Sequence, residues 1–242
     1  MYDLATFGLS EMTLVGTALR RLGTDATSLE QASQRAARFF YEEFVESASG
    51  RPGFVLARCY KTHPLGDLPP DLTKFARAVF PNEALDPTTQ CLTLLGTFGD
   101  EEAWKTRQAS SGHKAIPLVS ESAVQSLPMV KRLTQALGLE SQQVIRPDPS
   151  FLLEKDRAGF NVFHVEEALE SPYIPAQESF VKAHGVRSVV GFGFVLPPAN
   201  IFATILFARR HIPPETADLF KTLALSLKLA MLPLAAGRVF DE

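Results

Sequence analysis

Cysteine is scarce in this sequence: only Cys59 and Cys91 occur among 242 residues. Two cysteines cannot build the disulfide framework of a small secreted domain, and their spacing matches no zinc ribbon and no Cys-x-x-Cys site. The sequence therefore predicts two buried or half-buried thiols in a reducing compartment.

An excess of charge and a long apolar run are also missing. Lys and Arg number 24 against 27 Asp and Glu, and no basic block stands out, which predicts no nucleic-acid surface. The longest apolar stretches, residues 189–196 and 201–208, fall well short of the roughly 20 residues that span a bilayer. The first residues lack the basic and then apolar pattern of a secretory signal. We therefore expect a cytoplasmic protein that has neither nucleic acid nor membrane as a partner.

What is present is a large apolar content, 45% of the chain with 18 Phe, which is enough for a full core. Helical periodicity predicts helices at residues 11–22, 28–46, 71–80, 122–137 and 215–232. Ser28 and Gln31 have the spacing of a capping box at the start of the second helix. Met12, Val15, Leu19 and Leu22 form a narrow apolar stripe that is typical of helix–helix seams.

Short apolar segments bounded by turn residues predict the strands. They are residues 53–60, 90–98, 115–119, 151–153, 160–165, 186–196 and 201–208. The last two are apolar on both faces and are joined by residues 197–200, so we expect neighbouring strands at the centre of a sheet that is covered on both sides. The sequence predicts an α+β domain with a central, mostly antiparallel sheet of five or six strands flanked by helices.

Residues 160–232 resemble the second half of GAF domains. Gly185, Val186, Arg187 and Ser188 form the turn that leads into a strand, a second strand follows, and residues 212–232 supply the closing helix. His164-Val165 stands where the family has an Asp-Val pair. The resemblance implies an N-terminal helical extension over residues 1–27, a GAF-like sensory domain over residues 28–232 and a C-terminal tail over residues 233–242.

The same resemblance suggests where a ligand would bind. In GAF domains the segment before the central hairpin walls a small-molecule pocket over the sheet. The resemblance therefore implies an apolar cavity between the sheet and residues 160–185, lined by His164, Tyr173, Phe180 and His184. The alternative for His164 is a core side chain that is hydrogen-bonded to the backbone.

Cys59 and His63 are a second candidate site, because a thiol and an imidazole four residues apart could ligate haem iron or form a redox pair. A metal would need further ligands, and no neighbouring Cys or His cluster supplies them. The alternative is a buried cysteine followed by a loop histidine. No nucleophile elbow and no phosphate-binding glycine loop occurs, so we expect no catalytic residues and no metal site.

These observations predict a non-catalytic sensor of the kind that precedes bacterial histidine kinases and nucleotide cyclases. We expect it to bind a small molecule or cofactor, which no motif identifies, and to signal through dimeric helices. Its output domain, a kinase or cyclase, would lie on the same parent chain or on a separate protein. Two alternatives stay open: a ligand-free dimerisation scaffold, and a thiol- or haem-based sensor that uses Cys59 and His63. The reduction of free methionine sulfoxide, known in some GAF domains, is disfavoured because Cys59 and Cys91 stand alone on separate predicted strands.

Overall fold

The computed structural model describes residues 1–150, Glu154 and residues 162–241. Six strands form one sheet: β1 (Phe54–Pro64), β2 (Gln90–Gly99), β3 (Ala115–Pro117), β4 (Phe163–Val165), β5 (Ser188–Leu196) and β6 (Asn200–Ala208). Their order is β3-β2-β1-β6-β5-β4, and every neighbouring pair is antiparallel. The α+β class and the antiparallel sheet predicted from the sequence are confirmed. The strand expected at residues 151–153 and the start of the one at 160–165 lie outside the described residues.

Helices flank the sheet. They are α1 (Leu9–Leu19), α2 (Leu29–Glu43), α3 (Pro70–Val79), α4 (Glu121–Gln125), α5 (Pro128–Ala136), α6 (Ser141–Ile145) and α7 (Pro214–Met231). The Ser28 hydroxyl accepts a 2.9 Å hydrogen bond from the Gln31 backbone N–H and so caps α2, as the sequence predicts. Within the described parts of the chain, no helix combines the length and the apolarity needed to cross a membrane.

The sheet has two covered faces with separate cores. Helices α1, α2 and α7 cover one face, which we call the terminal-helix face. Helices α4 to α6 and residues 166–186 cover the other, which we call the opposite face. Strands β5 and β6 contribute to both cores: Val190 and Leu206 face the terminal helices, while Val189 and Phe207 face the other way. The two-sided apolarity of these strands therefore reflects burial on both sides.

The predicted helix seam has its partner within the same chain. Val15 and Leu19 are fully buried and belong to the core that also contains Leu223 of α7. Gly16 allows this close approach, since a Cβ there would lie 2.9 Å from the Ser226 hydroxyl. The inner residues of the predicted stripe, Val15 and Leu19, are therefore covered by α7 of the same chain and are not free to pair with a second copy.

Strand β1 is longer than its apolar segment predicts. It continues past Tyr60 to Pro64, because residues 61–64 remain paired with residues 90–93 of β2. Lys61 and His63 consequently lie on a strand instead of in a loop, and both are only 3% exposed.

The C-terminal tail folds back onto the start of α2. The backbone N–H groups of Leu29 and Glu30 donate to the carbonyl oxygens of Arg238 and Val239, at 3.0 and 2.8 Å. The Glu30 carboxylate accepts a 2.8 Å hydrogen bond from Arg107 Nε and a 2.9 Å bond from the Asp241 backbone N–H. Glu30 and Arg107 are 5% and 4% exposed, so this buried ion pair holds the tail in place.

The packing of α1 on α7 predicts unequal effects of two leucine truncations. Leu19→Ala should lower the free energy of unfolding by about 2–5 kcal/mol, because it opens a cavity between the two helices. Leu225→Ala is the matched control: Leu225 lies on α7 but is 61% exposed, so its loss should change stability by no more than about 0.5 kcal/mol. Urea denaturation measures both values, and equal losses would contradict the intramolecular seam.

Candidate functional site

Four polar side chains lie buried on the opposite face, among apolar neighbours. They are Arg58, Tyr60, Thr97 and Ser110, with exposures of 9%, 4%, 0% and 2%. Alternation along β1 directs Arg58 and Tyr60 to this face, and Thr97 is the cross-strand partner of Arg58 on β2. We call these four residues the Arg58 cluster.

The hydrogen bonding of the Arg58 cluster is incomplete. Arg58 Nη1 donates to the Tyr60 hydroxyl at 3.2 Å, and Nη2 lies 3.5 Å from the Ser110 hydroxyl. Arg58 Nε and Thr97 Oγ1 have no partner among the described residues, and Arg58 forms no ion pair there. A guanidinium stays protonated in proteins, and a buried charge is costly unless an opposite charge faces it. The cluster is therefore suited to receive an anionic or strongly hydrogen-bonding group.

His113 belongs to the electrostatic surroundings of the same cluster. It lies on the connection to β3 at a φ of +59°, and as a residue it is exposed. Its pKa is lowered, first by partial burial of the ring and then by the positive charge of Arg58. His113 is consequently neutral at neutral pH and can offer both a donor and an acceptor nitrogen.

Phe180 and His184, predicted as pocket residues, lie together on the opposite face. Trp104 joins them, with its ring centroid 5.6 Å from Phe180 and 4.6 Å from His184. Phe180 also meets Phe207 of β6 edge to face at 4.9 Å. Tyr173 packs against the same core and has the Arg132 guanidinium 5.5 Å above its ring. Three of the four predicted residues thus share one face of the sheet.

His164 lies on the other face. It is the cross-strand partner of Val190, which faces the terminal helices, and its Nε2 is 2.9 Å from the carbonyl oxygen of Ile212. Burial lowers the pKa of His164, so the ring is neutral at neutral pH. The structure therefore separates His164 from Tyr173, Phe180 and His184, which corrects the shared site that the sequence suggested, and gives it the backbone hydrogen bond of the alternative interpretation.

Cys59 and His63 do not meet. They are four residues apart on the extended β1, roughly 13 Å along the strand, and Cys59 Sγ lies 3.6 Å from the Thr204 hydroxyl instead. Burial raises the pKa of Cys59 and of Cys91 to about 12, which keeps both thiols protonated and unreactive near neutral pH. In the described residues, no group of three or more Cys, His, Asp or Glu is arranged to hold a metal ion.

His63 instead lines a cavity of about 450 Å³ on the terminal-helix side, together with Lys61 and residues of the tail. Neither ring nitrogen of His63 has a hydrogen-bond partner among the described residues. Burial, and then the charge of Lys61, lowers the pKa of His63 to about 3. Burial also lowers the pKa of Lys61 to about 8.

No protein-family model matches the chain, and no curated protein matches it either. Solved structures do resemble it. The free methionine-R-sulfoxide reductase of Neisseria meningitidis, in complex with its substrate, is 13% identical with a TM-score of 0.46, covering 91% of this chain and 90% of that one. The GAF domain of a Coxiella burnetii phosphoenolpyruvate-protein phosphotransferase is 11% identical, with a TM-score of 0.42 and 93% of both chains covered. The phycocyanobilin-bound GAF domain of a cyanobacterial phytochrome is 10% identical, with a TM-score of 0.43, covering 92% of this chain and 94% of that one.

The antiparallel six-stranded sheet with helices on both faces agrees with the GAF-like architecture that the sequence resemblance implied. Within this fold, sequence reasoning missed four candidate site residues: Arg58, Thr97, Trp104 and Lys61. The missed signal is in β1 itself, where Arg58, Lys61 and His63 interrupt a strand whose other positions, apart from Thr62, are largely apolar. Charged residues in a buried strand are uncommon and mark positions that need a partner.

His63 makes the stability of this GAF-like domain depend on pH. Its pKa is about 3 in the folded protein against 6.5 for an unperturbed histidine. The unfolded state therefore binds the extra proton, and the stability that is present above pH 6.5 is lost as the pH falls towards 3. Between pH 6 and 4, the wild type should lose about 1.4 kcal/mol per pH unit more than His63→Gln, measured by urea denaturation. His211→Gln, at an exposed histidine, is the control and should follow the wild type. Parallel curves for all three proteins would contradict the burial of His63.

Proposed function

We propose that the protein is a non-catalytic sensory module that binds a small anionic molecule on the opposite face of the sheet, with Arg58 as the anchor. The observation that carries this proposal is the buried guanidinium of Arg58, which faces no carboxylate among the described residues. A side chain of this kind binds carboxylates and phosphates through two parallel hydrogen bonds. Its Nε has no partner among the described residues, and each Nη carries a second N–H besides the one that faces Tyr60 or Ser110.

The surroundings of Arg58 fit a ligand that also carries an apolar part. Leu56 lies two residues before Arg58 on the same face of β1. It lies close to Trp104, because a Cβ added at Gly99 would be 3.0 Å from the Leu56 side chain and 3.0 Å from the Trp104 ring. The aromatic group of Trp104, Phe180 and His184 therefore lies beside the Arg58 cluster. Ligand pockets commonly combine apolar walls with a few polar groups that fix orientation.

Replacing Arg58 tests this proposal. Native mass spectrometry of freshly purified wild type should show a bound small molecule with an anionic group, and Arg58→Met should lose it. Because an unpaired buried charge is unfavourable, Arg58→Met should leave the free energy of unfolding of the ligand-free protein unchanged or raise it by about 1–4 kcal/mol. Arg187→Met is the matched control: its guanidinium lies 3.7 Å from Glu167 at the surface, and it should retain the ligand and the stability of the wild type.

Two outcomes oppose the proposal. If Arg58→Met is strongly destabilised without ligand, Arg58 is already stabilised by groups of the protein itself and does not need a ligand as its partner. If wild type and both variants are ligand-free under native conditions, and no carboxylate or phosphate compound shifts the unfolding midpoint of wild type, the ligand-free scaffold is the better description.

An exposed apolar surface on α7 supports the proposal that the protein signals through dimeric helices. Leu225, Leu229 and Leu232 are 61%, 48% and 40% exposed and are spaced four and three residues apart, so they form one apolar stripe along the helix and its end. Leu14 of α1 is 60% exposed and adds to the apolar surface of the paired helices. A symmetric pairing of two copies would cover such a stripe. In this proposal the dimer passes the ligand signal to a kinase or cyclase output domain in the cytoplasm, on the same parent chain or on a separate protein.

The dimer is tested by adding charge to this stripe. The double variant Leu225→Glu and Leu229→Glu should be monomeric in multi-angle light scattering at concentrations where wild type is dimeric. The fold should be retained, because both side chains are exposed. Leu169→Glu is the control, since Leu169 is 46% exposed but lies on the opposite side of the sheet, and it should remain dimeric. A monomeric wild type would refute the dimer.

A further inference from the structure

The cavity beside Lys61 and His63 is distinct from the Arg58 cluster. Residues 58 and 61 are on opposite sides of β1: Arg58 pairs with Ile205 of the opposite-face core, and Lys61 pairs with Phe202 of the terminal-helix core. The cavity measures about 450 Å³, enough for a small organic molecule. It is therefore a second candidate binding site, on the other side of the same strand.

The floor of this cavity carries hydrogen-bond donors that lack acceptors. Lys61 is 3% exposed and forms no ion pair with any described residue, and its ammonium has one long hydrogen bond of 3.4 Å to the carbonyl oxygen of Thr62. His63 is equally buried, and neither of its ring nitrogens has a hydrogen-bond partner among the described residues. Because the two side chains are two residues apart on a strand, they point to the same face of the sheet.

The Lys61 ammonium is the group of this cavity that lacks an ion-pair partner among the described residues. Asp67 is an acidic residue of the lining, and its charge favours the protonated form of Lys61 without forming an ion pair with it in the described structure. Burial acts in the other direction and lowers the pKa of Lys61 to about 8, so the ammonium is the main form at pH 7 but is poorly compensated. His63 is neutral at that pH and can donate from one nitrogen.

The roof of the cavity is the C-terminal tail. Ala235, Val239 and Phe240 line it, and the Phe240 ring lies 5.3 Å from the imidazole of His63. The Arg107 guanidinium lies 5.6 Å from the centroid of the same Phe240 ring. Arg107 also forms the ion pair with Glu30 that fixes the tail to α2. A molecule in the cavity would therefore contact the strand on one side and the tail on the other.

We propose that this cavity binds a small carboxylate or phosphate anion, held by the ammonium of Lys61 beside the imidazole of His63, and that the bound anion strengthens the docking of residues 235–241. The site does not depend on Arg58 and goes beyond the sensory function proposed above. Removing the anion loosens the tail, and the tail is continuous with α7, which carries the exposed leucine stripe.

Thermal unfolding with simple anions tests the site. At pH 7, sodium acetate or sodium phosphate should raise the unfolding midpoint of wild type relative to sodium chloride at equal ionic strength, by about 3–6 °C at tenfold the dissociation constant. Lys61→Met should abolish the difference, whereas Lys74→Met, at an exposed lysine of α3, and Arg58→Met should keep it. Acetate and phosphate as separate arms show which of the two anions the site prefers.

Two measurements on unmodified protein keep the proposal testable if Lys61→Met does not fold. Titration with the preferred anion should shift the imidazole ¹⁵N resonances of His63. The same anion should slow hydrogen exchange in the C-terminal peptide, residues 233–242. No midpoint difference between acetate, phosphate and chloride, together with unmoved His63 resonances, would overturn the anion site. Shifted resonances with unchanged exchange of the tail would overturn its coupling to the tail. Retention of the anion effect in Arg58→Met separates this result from the test of the opposite face.

Discussion

Burial of the central strands on both faces is the constraint on which the rest of this structure depends. Strands β5 and β6 are buried at nearly every position, so apolar side chains project from both sides of the sheet. Neither side can face water without a large loss of hydrophobic free energy. The terminal helices cover one side, and α4 to α6 with residues 166–186 cover the other. Two separate cores follow, and each can contain its own polar site.

The buried charges differ in how they are compensated, and this difference distinguishes structural groups from candidate binding groups. Glu30 and Arg107 are as buried as Arg58 and Lys61, but they face each other at 2.8 Å and share further hydrogen bonds with Gln108 and Asp241. Arg58 and Lys61 have only hydroxyl or carbonyl partners in the described structure. Since an uncompensated buried charge lowers stability, its presence in a folded domain suggests a function that uses it.

Local sequence signals predicted much of the fold. The two-sided apolarity of residues 186–196 and 201–208 and the short connection between them identified the hairpin of β5 and β6, and Ser28 marked the start of α2. The partner of the Val15 and Leu19 stripe could not be read from the sequence, because an apolar stripe has the same pattern whether it meets α7 or a second chain. The site was only partly predictable for a related reason. The family resemblance grouped Tyr173, Phe180 and His184, which do share one face of the sheet. The face reached by His164 depends on strand register, and a shift of one residue reverses it.

The position of β1 connects the two candidate sites to the terminal helices. Arg58 and Lys61 belong to one rigid central strand that is hydrogen-bonded on both edges, to β2 and to β6, so neither residue can move far without disturbing the sheet. The tail above Lys61 is different, because backbone hydrogen bonds to the start of α2 and one buried ion pair fix it, and these are fewer contacts than a strand makes. Ligand-linked motion in proteins generally occurs in the elements of lower local stability. In this fold that element is the segment after α7, so a signal from the sheet would reach the exposed leucines through the tail and not through a deformation of the strands.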